Sequence, residues 1–180
     1  MKHLCPVDAL EVVGCRGRSD SDILVILSHP DWADVIKGVP FALDESERYA
    51  KTTSGSVMQR ECIRAGIDLN MLRCCVLWPH KDMDDERCMQ ENLNTVVLKE
   101  ARNKRAILLV GAQAVKFFTG YNVDDVNGLQ VSSPMLSAPI IYPLVNPSSV
   151  LIKGAGVGEI RFGLEQFAAA IQPKEVPVHE

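Results

Sequence analysis

Four short apolar runs, each broken at once by a polar or glycine turn, constrain this chain more than any other feature. The first is Ile23–Leu27, followed directly by Ser28, His29, Pro30 and Asp31. It is too short for a helix, partly β-branched and unbroken, which reads as a strand buried on both faces. The others span residues 72–78 (closed by Pro79 and His80), 106–110 (leading into Gly111) and 139–144 (before Asn146-Pro147-Ser148-Ser149). Helical spacing fills the gaps. Residues 54–65 place Val57, Met58, Cys62 and Ala65 on one face, with Gly66 as the stop. Further helices are expected from Asp84 or Asp85 to about 103, from Gly111 to 119, and over 159–171. Asp44 and Glu47 have capping-box spacing for a short helix near 45–50. Trp32 is read in a loop, and 120–137 as loop with one short strand near Leu129.

Strands alternating with helices predict an α/β fold, a three-layer α/β/α sandwich around a central four-stranded parallel sheet. In such sheets, sites lie at the carboxyl ends of the strands. The polar turns after all four runs are therefore expected to meet at one edge. At 180 residues the chain is expected to form one domain over 1–172, with a flexible tail at 173–180. Its formal charge of −4 rules out holding nucleic acid by bulk charge, so any DNA contact must be local. No apolar run approaches a membrane span and no secretory signal is read. Six scattered cysteines, two of them adjacent, fit a reducing cytoplasm better than a disulfide framework. A phosphate-binding loop of the G-x-x-x-x-G-K-[ST] type and a G-x-G-x-x-G turn are both missing, which ranks a nucleotide-binding or transferase domain of the doubly wound type last.

An ordered series of motifs resembles the uracil-DNA glycosylase superfamily, especially its iron–sulfur branch. Cys5-Pro6 stands where that branch has C-x-x-C-P-L, and Val12-Val13-Gly14 where it has V-V-x-G. Leu27-Ser28-His29-Pro30-Asp31 takes the place of its G-E-A-P-G turn, and Gly38-Val39-Pro40-Phe41 that of G-x-P-F. Ala65-Gly66-Ile67, the run into Pro79, Glu86 to Leu93 and Leu109-Val110-Gly111-Ala112 follow in the family's order. Asn146-Pro147-Ser148 matches its H-P-S. The series covers nearly the whole chain. The departures fall on chemistry: Ser28 replaces the acid and Asn146 the histidine. The uracil-reading asparagine falls on Arg73 or Cys74. Of the four cluster ligands only Cys5 and Cys88 match, the others being Lys2 and Leu77. A four-iron cluster needs four thiolates, so no cofactor is expected unless Cys15, Cys74 or Cys75 substitutes.

The resemblance implies a protein acting on DNA, excising uracil or another altered base by hydrolysis of the N-glycosidic bond. The alternative is an inactive glycosylase-fold protein that binds DNA or a replication or repair partner. Excision needs a flipped base, an aromatic stack, a donor for the leaving base and a positioned water. On that basis His29, Asp31 and Asn146 are the catalytic candidates, and Ser28, Phe41 and Arg73 the base-binding ones. Gly111, Ser148, Ser149 and Lys153 are candidate contacts to the DNA backbone, and Val150 and Leu151 candidate wedges. Each has a plainer reading: Phe41 as core, His29 and Asp31 as turn residues, Asn146-Pro147 as local turn chemistry.

Overall fold

The structure is a computed structural model that describes residues 12–43, 53–81, 85–153 and 156–172. Five strands form one sheet: β1 (Arg16–Gly17), β2 (Ile23–Leu27), β3 (Arg73–Val76), β4 (Ala106–Val110) and β5 (Ile140–Leu144), in the order β1-β3-β2-β4-β5. β2 through β5 are mutually parallel, as expected. β1 adds a short antiparallel edge on β3, a strand beyond the four expected. Every residue of β2 and β4, the two central strands, is buried. That explains their unbroken apolar character, since neither face meets water.

Helices cover both faces. α1 (Trp32–Lys37) and α2 (Ser54–Arg64) connect β2 to β3. α3 (Glu86–Asn92), a π-helical turn (Leu93–Val97) and α4 (Leu98–Ala101) connect β3 to β4. α5 (Ala112–Thr119) and α6 (Val123–Val126) connect β4 to β5. α7 (Ser148–Lys153) and α8 (Val157–Ile171) follow β5. α8 packs on β5 and on α2, the π-helical turn packs on β3, and α5 and α6 pack on β4 and β5, so that helices surround the sheet as in a three-layer α/β/α fold.

Local chemistry explains where the elements depart from expectation. The loop expected around Trp32 is helical because Asp31 and Asp34 form a capping box, closed by Gly38 in the left-handed region. The capping box read at Asp44 and Glu47 lies outside the described residues, as does the tail 173–180. The long helix expected to end near 103 is interrupted: Leu98 N bonds the carbonyl of Leu93, five residues back. Just before that turn, Asn92 Nδ2 donates to the carbonyls of Val76 and Leu77 at 2.8 and 3.0 Å, pinning the helix to the end of β3. Ser148 and Ser149, read as part of the turn after the last strand, open a helix over Ser148–Lys153. Where a strand is expected near Leu129, the chain turns after α6, Leu129 N donating to Val126 O at 2.9 Å, and Val131 merely donates one bond to Ile141 O at 2.9 Å. Among the described residues no helix is long and apolar enough to cross a membrane.

Candidate functional site at the strand ends

The four parallel strands finish in register. Leu27 pairs with Val76 on one side and Val110 on the other, and Val110 pairs with Leu144. The residues after these positions therefore share one edge. Gly111 (φ 99°) turns β4 into α5 there. A Cβ at Gly111 would stand 2.5 Å from Ser28 Oγ and 3.5 Å from Asn146 Nδ2, so three of the candidates meet at one point. Gly111 is glycine for two reasons, the left-handed φ and this contact. Its own N–H donates to Leu144 O at 2.9 Å.

Ser28 is fully buried. Its hydroxyl donates to Val110 O at 3.0 Å and accepts from Ala114 N at 2.9 Å, and its N–H also donates to Val110 O. It ties β2 to the start of α5 and presents no surface to a base, which corrects the base-binding reading. Asn146 is half-buried. Its Oδ1 accepts from Ser148 N at 3.0 Å, and its carbonyl accepts from Ser149 N and Ser149 Oγ at 2.9 and 2.7 Å. The amide oxygen and both serines thus build the turn into α7. Asn146 Nδ2 makes no hydrogen bond among the described residues and stays available as a donor beside Gly111. Lys153 is the last residue of α7. Leu151 is exposed, and so is Ile152 beside it, whereas Val150 packs against the core.

His29 leaves β2 half-buried and stacks on Trp78, with ring centroids 4.7 Å apart and planes 12° from parallel. Trp78 leaves β3 and its N–H donates to Ser28 O at 3.0 Å. Its indole Nε1 is buried without a hydrogen-bond partner among the described residues, although such groups ordinarily have one. Trp78 drew no attention in the sequence beyond ending an apolar run. The clue available there was its place, level with His29 at a strand end.

Asp31 is half-buried, and both its oxygens are engaged in caps rather than left to position a water. Oδ1 accepts from Asp34 N at 3.0 Å, and Oδ2 accepts from Ser54 N and Ser54 Oγ at 3.0 and 2.5 Å. It caps α1 and holds the start of α2. The partner carboxylate, Asp34, was missed in sequence. It is fully buried and accepts from Ala42 N at 2.7 Å and Asp31 N at 3.1 Å. Burial, reinforced by the charge of Asp31, raises its pKa to about 7.

Phe41 is a core residue. Its ring is 0 % exposed, so it offers no face for stacking a base. Its backbone has φ 54°, and its carbonyl accepts from Arg16 Nη1 at 2.6 Å and Gln59 Nε2 at 3.2 Å. Gly55 lets α2 approach it: a Cβ there would sit 2.6 Å from Phe41 C. Arg73 is also misplaced for base reading. It pairs with Leu24, three residues before the end of β2, hence roughly 10 Å from the strand ends. Its guanidinium grips Glu100 at 2.7 and 3.0 Å and donates to Gly17 O at 3.3 Å. There it lines a cleft of about 750 Å³ beside β3 with Cys15, Thr95, Lys99 and Glu100.

Of the four positions where the resembled branch holds its cluster, Cys88 and Leu77 are among the described residues. Cys5 lies outside the described residues, and Leu77, at a ligand position, is buried and carries no thiol. Burial pushes the thiols of Cys15 and Cys74 up to about 11 and about 12 and raises that of Cys75 well above its usual value, so all three are protonated thiols near neutrality. Among the described residues no group of three or more His, Cys, Asp or Glu is arranged to hold a metal ion.

The strand-end edge therefore carries an aromatic pair and, among the described residues, an amide and an indole N–H without hydrogen-bond partners, while Asp31 and Asp34 serve as helix caps. Compared with protein-family models and with curated proteins, the chain matches none.

Proposed function

We propose that this chain is a uracil-DNA-glycosylase-like protein that binds DNA along the carboxyl edge of its sheet, with base excision absent or slow. One observation carries this reading: the aligned strand ends bear the His29–Trp78 stack and the free Asn146 amide donor beside Gly111. Aromatic faces stack nucleobases regardless of sequence, and an amide N–H can donate to a base carbonyl. Hydrolysis needs more. A general base has to reach a water, and a developing negative charge needs a strong donor. The acid position is an enclosed serine, Asp31 has both oxygens engaged, and Asn146 carries no charge.

Excision stands as the second reading because His29 is half-buried at the end of β2, where an imidazole can act as base. A panel of single- and double-stranded oligonucleotides carrying uracil and other altered bases separates the two. Binding without abasic product is expected. Abasic product from the wild type in proportion to enzyme would overturn the inactive reading. Absence of binding to every oligonucleotide would sink the DNA reading and leave a partner protein, for which exposed Trp32 and Ile36, one turn apart on α1, offer a surface. Asn146→His adds the missing electrophile. Uracil release gained by that variant alone would mark a scaffold whose chemistry has been lost at one residue.

A further inference from the structure

Glu61, in α2, has a side chain with no exposed surface, and three arginines surround its carboxylate. Arg161 Nε, from α8, donates to Oε2 at 2.7 Å, and Arg60 Nε donates to Oε1 at 3.0 Å. Arg64 Nε lies 3.8 Å from Oε1. The side chains of Arg60, Arg64 and Arg161 are 49 %, 58 % and 42 % exposed, so their outer edges meet solvent. Each contact uses Nε, and among the described residues none of the six Nη atoms makes a hydrogen bond.

Bridging α2 to α8 requires only Arg161. Arg60 and Arg64 stand on the same helix as Glu61 and add nothing to that bridge. Among the described residues, the three guanidiniums face the carboxylate of Glu61, and Glu165, one turn beyond Arg161, is the further acid that acts on Arg161. That sets three positive charges against two negative ones in a chain whose net charge is −4. The enclosed carboxylate holds Arg60 and Arg161 by hydrogen bonds at Nε, with Arg64 beside them, and leaves their Nη groups without a partner among the described residues; guanidinium edges match phosphate oxygens. The cluster lies further down α2 from the strand-end edge: the helix begins at Ser54, hydrogen-bonded to Asp31, and Arg60 and Arg64 follow roughly 9 and 15 Å along it, within reach of phosphates further along a bound strand. α7, which starts at Ser148, packs on α2 as well.

We propose that Arg60, Arg64 and Arg161 form a phosphate cradle that holds the backbone of a nucleic acid strand bound at the carboxyl edge of the sheet. This rests on the DNA-binding reading above. Fluorescence anisotropy of a labelled oligonucleotide over a salt titration tests it. Each of Arg60→Gln, Arg64→Gln and Arg161→Gln is expected to lower the slope of log affinity against log salt by roughly 1, with a roughly fivefold loss at low salt. Arg161→Lys keeps the slope, because counterion release follows charge. Arg18→Gln, at the opposite end of the sheet, changes nothing. Thermal melts of the Gln variants establish that they are folded. Wild-type binding with slopes unchanged in all three variants overturns the cradle and leaves the DNA reading standing. If the wild type binds no oligonucleotide, the DNA reading fails by itself. Inorganic polyphosphate then decides the cradle: affinity lost in the three Gln variants keeps a phosphate site, and affinity absent or unaltered removes it.

Discussion

Ser28 Oγ accepts a hydrogen bond from the amide of Ala114, 86 residues further on, at 2.9 Å. With its donation to Val110 O, this locks the end of β2 to the first turn of α5. Ser28→Ala removes the acceptor and strands a buried N–H. Loss of about 1–3 kcal/mol is expected, read as a lower urea midpoint at unchanged m. Ser28→Glu, which restores the acid of the resembled family, places a carboxylate in an enclosed site and is expected to destabilise more, with no gain of excision. A folded, excision-competent Ser28→Glu variant would refute the enclosure.

Phe41 and the His29–Trp78 pair should separate cleanly. Phe41→Ala empties a fully buried site and is expected to cost about 3–5 kcal/mol in stability. His29→Ala is expected to leave stability nearly unchanged while weakening oligonucleotide binding by about 1–3 kcal/mol if the pair stacks a base. Equal binding by His29→Ala and wild type would remove the aromatic pair from the interface.

Asp34 gives an unusual pH dependence. Its folded pKa, about 7, lies above the ordinary 3.8, so between those values the folded state holds a proton the unfolded chain has released. Its contribution to stability is therefore fully present at low pH and is lost as pH rises from about 4 to about 7. In urea titrations across that range, Asp34→Asn should flatten this decline. A decline of the same steepness in the variant assigns it to another group.

Glu61 has the opposite sign. Burial alone would raise its pKa, but the hydrogen bonds from Arg161 and Arg60 outweigh it and hold the carboxyl below the ordinary 4.5. Its stabilisation is present above that value and is lost as pH falls through the folded pKa. Glu61→Gln is expected to cost about 2 kcal/mol near neutrality and to remove that acid-side loss. An unchanged acid limb in the variant would show that the α2–α8 bridge does not govern it.

Much of the fold was legible in local pattern. Ile23–Leu27 and Ala106–Val110 are strands with the bounds that their apolar runs suggest, because a strand buried on both faces has no polar positions to blur its ends. Short polar helices were harder. α1 depends on a capping box between two aspartates around Trp32, and α7 on Asn146 folding its oxygens back onto Ser148 and Ser149. Neither carries the long apolar period that marks α8.

The sequence by itself determined that four strand ends would carry polar or glycine residues to one edge, since burying those strands forces the chain to turn polar where they stop. Only the tertiary structure decided what those residues do there. Ser28 and Asp31 read as site residues, yet their hydrogen-bond partners, Ala114 and Ser54, come from distant segments and turn both groups inward. Trp78 read as the end of a core strand, yet packing left its ring against His29 with an indole N–H unmatched. A side chain's chemistry is written locally, but its partners are chosen by whatever the fold brings within about 3 Å.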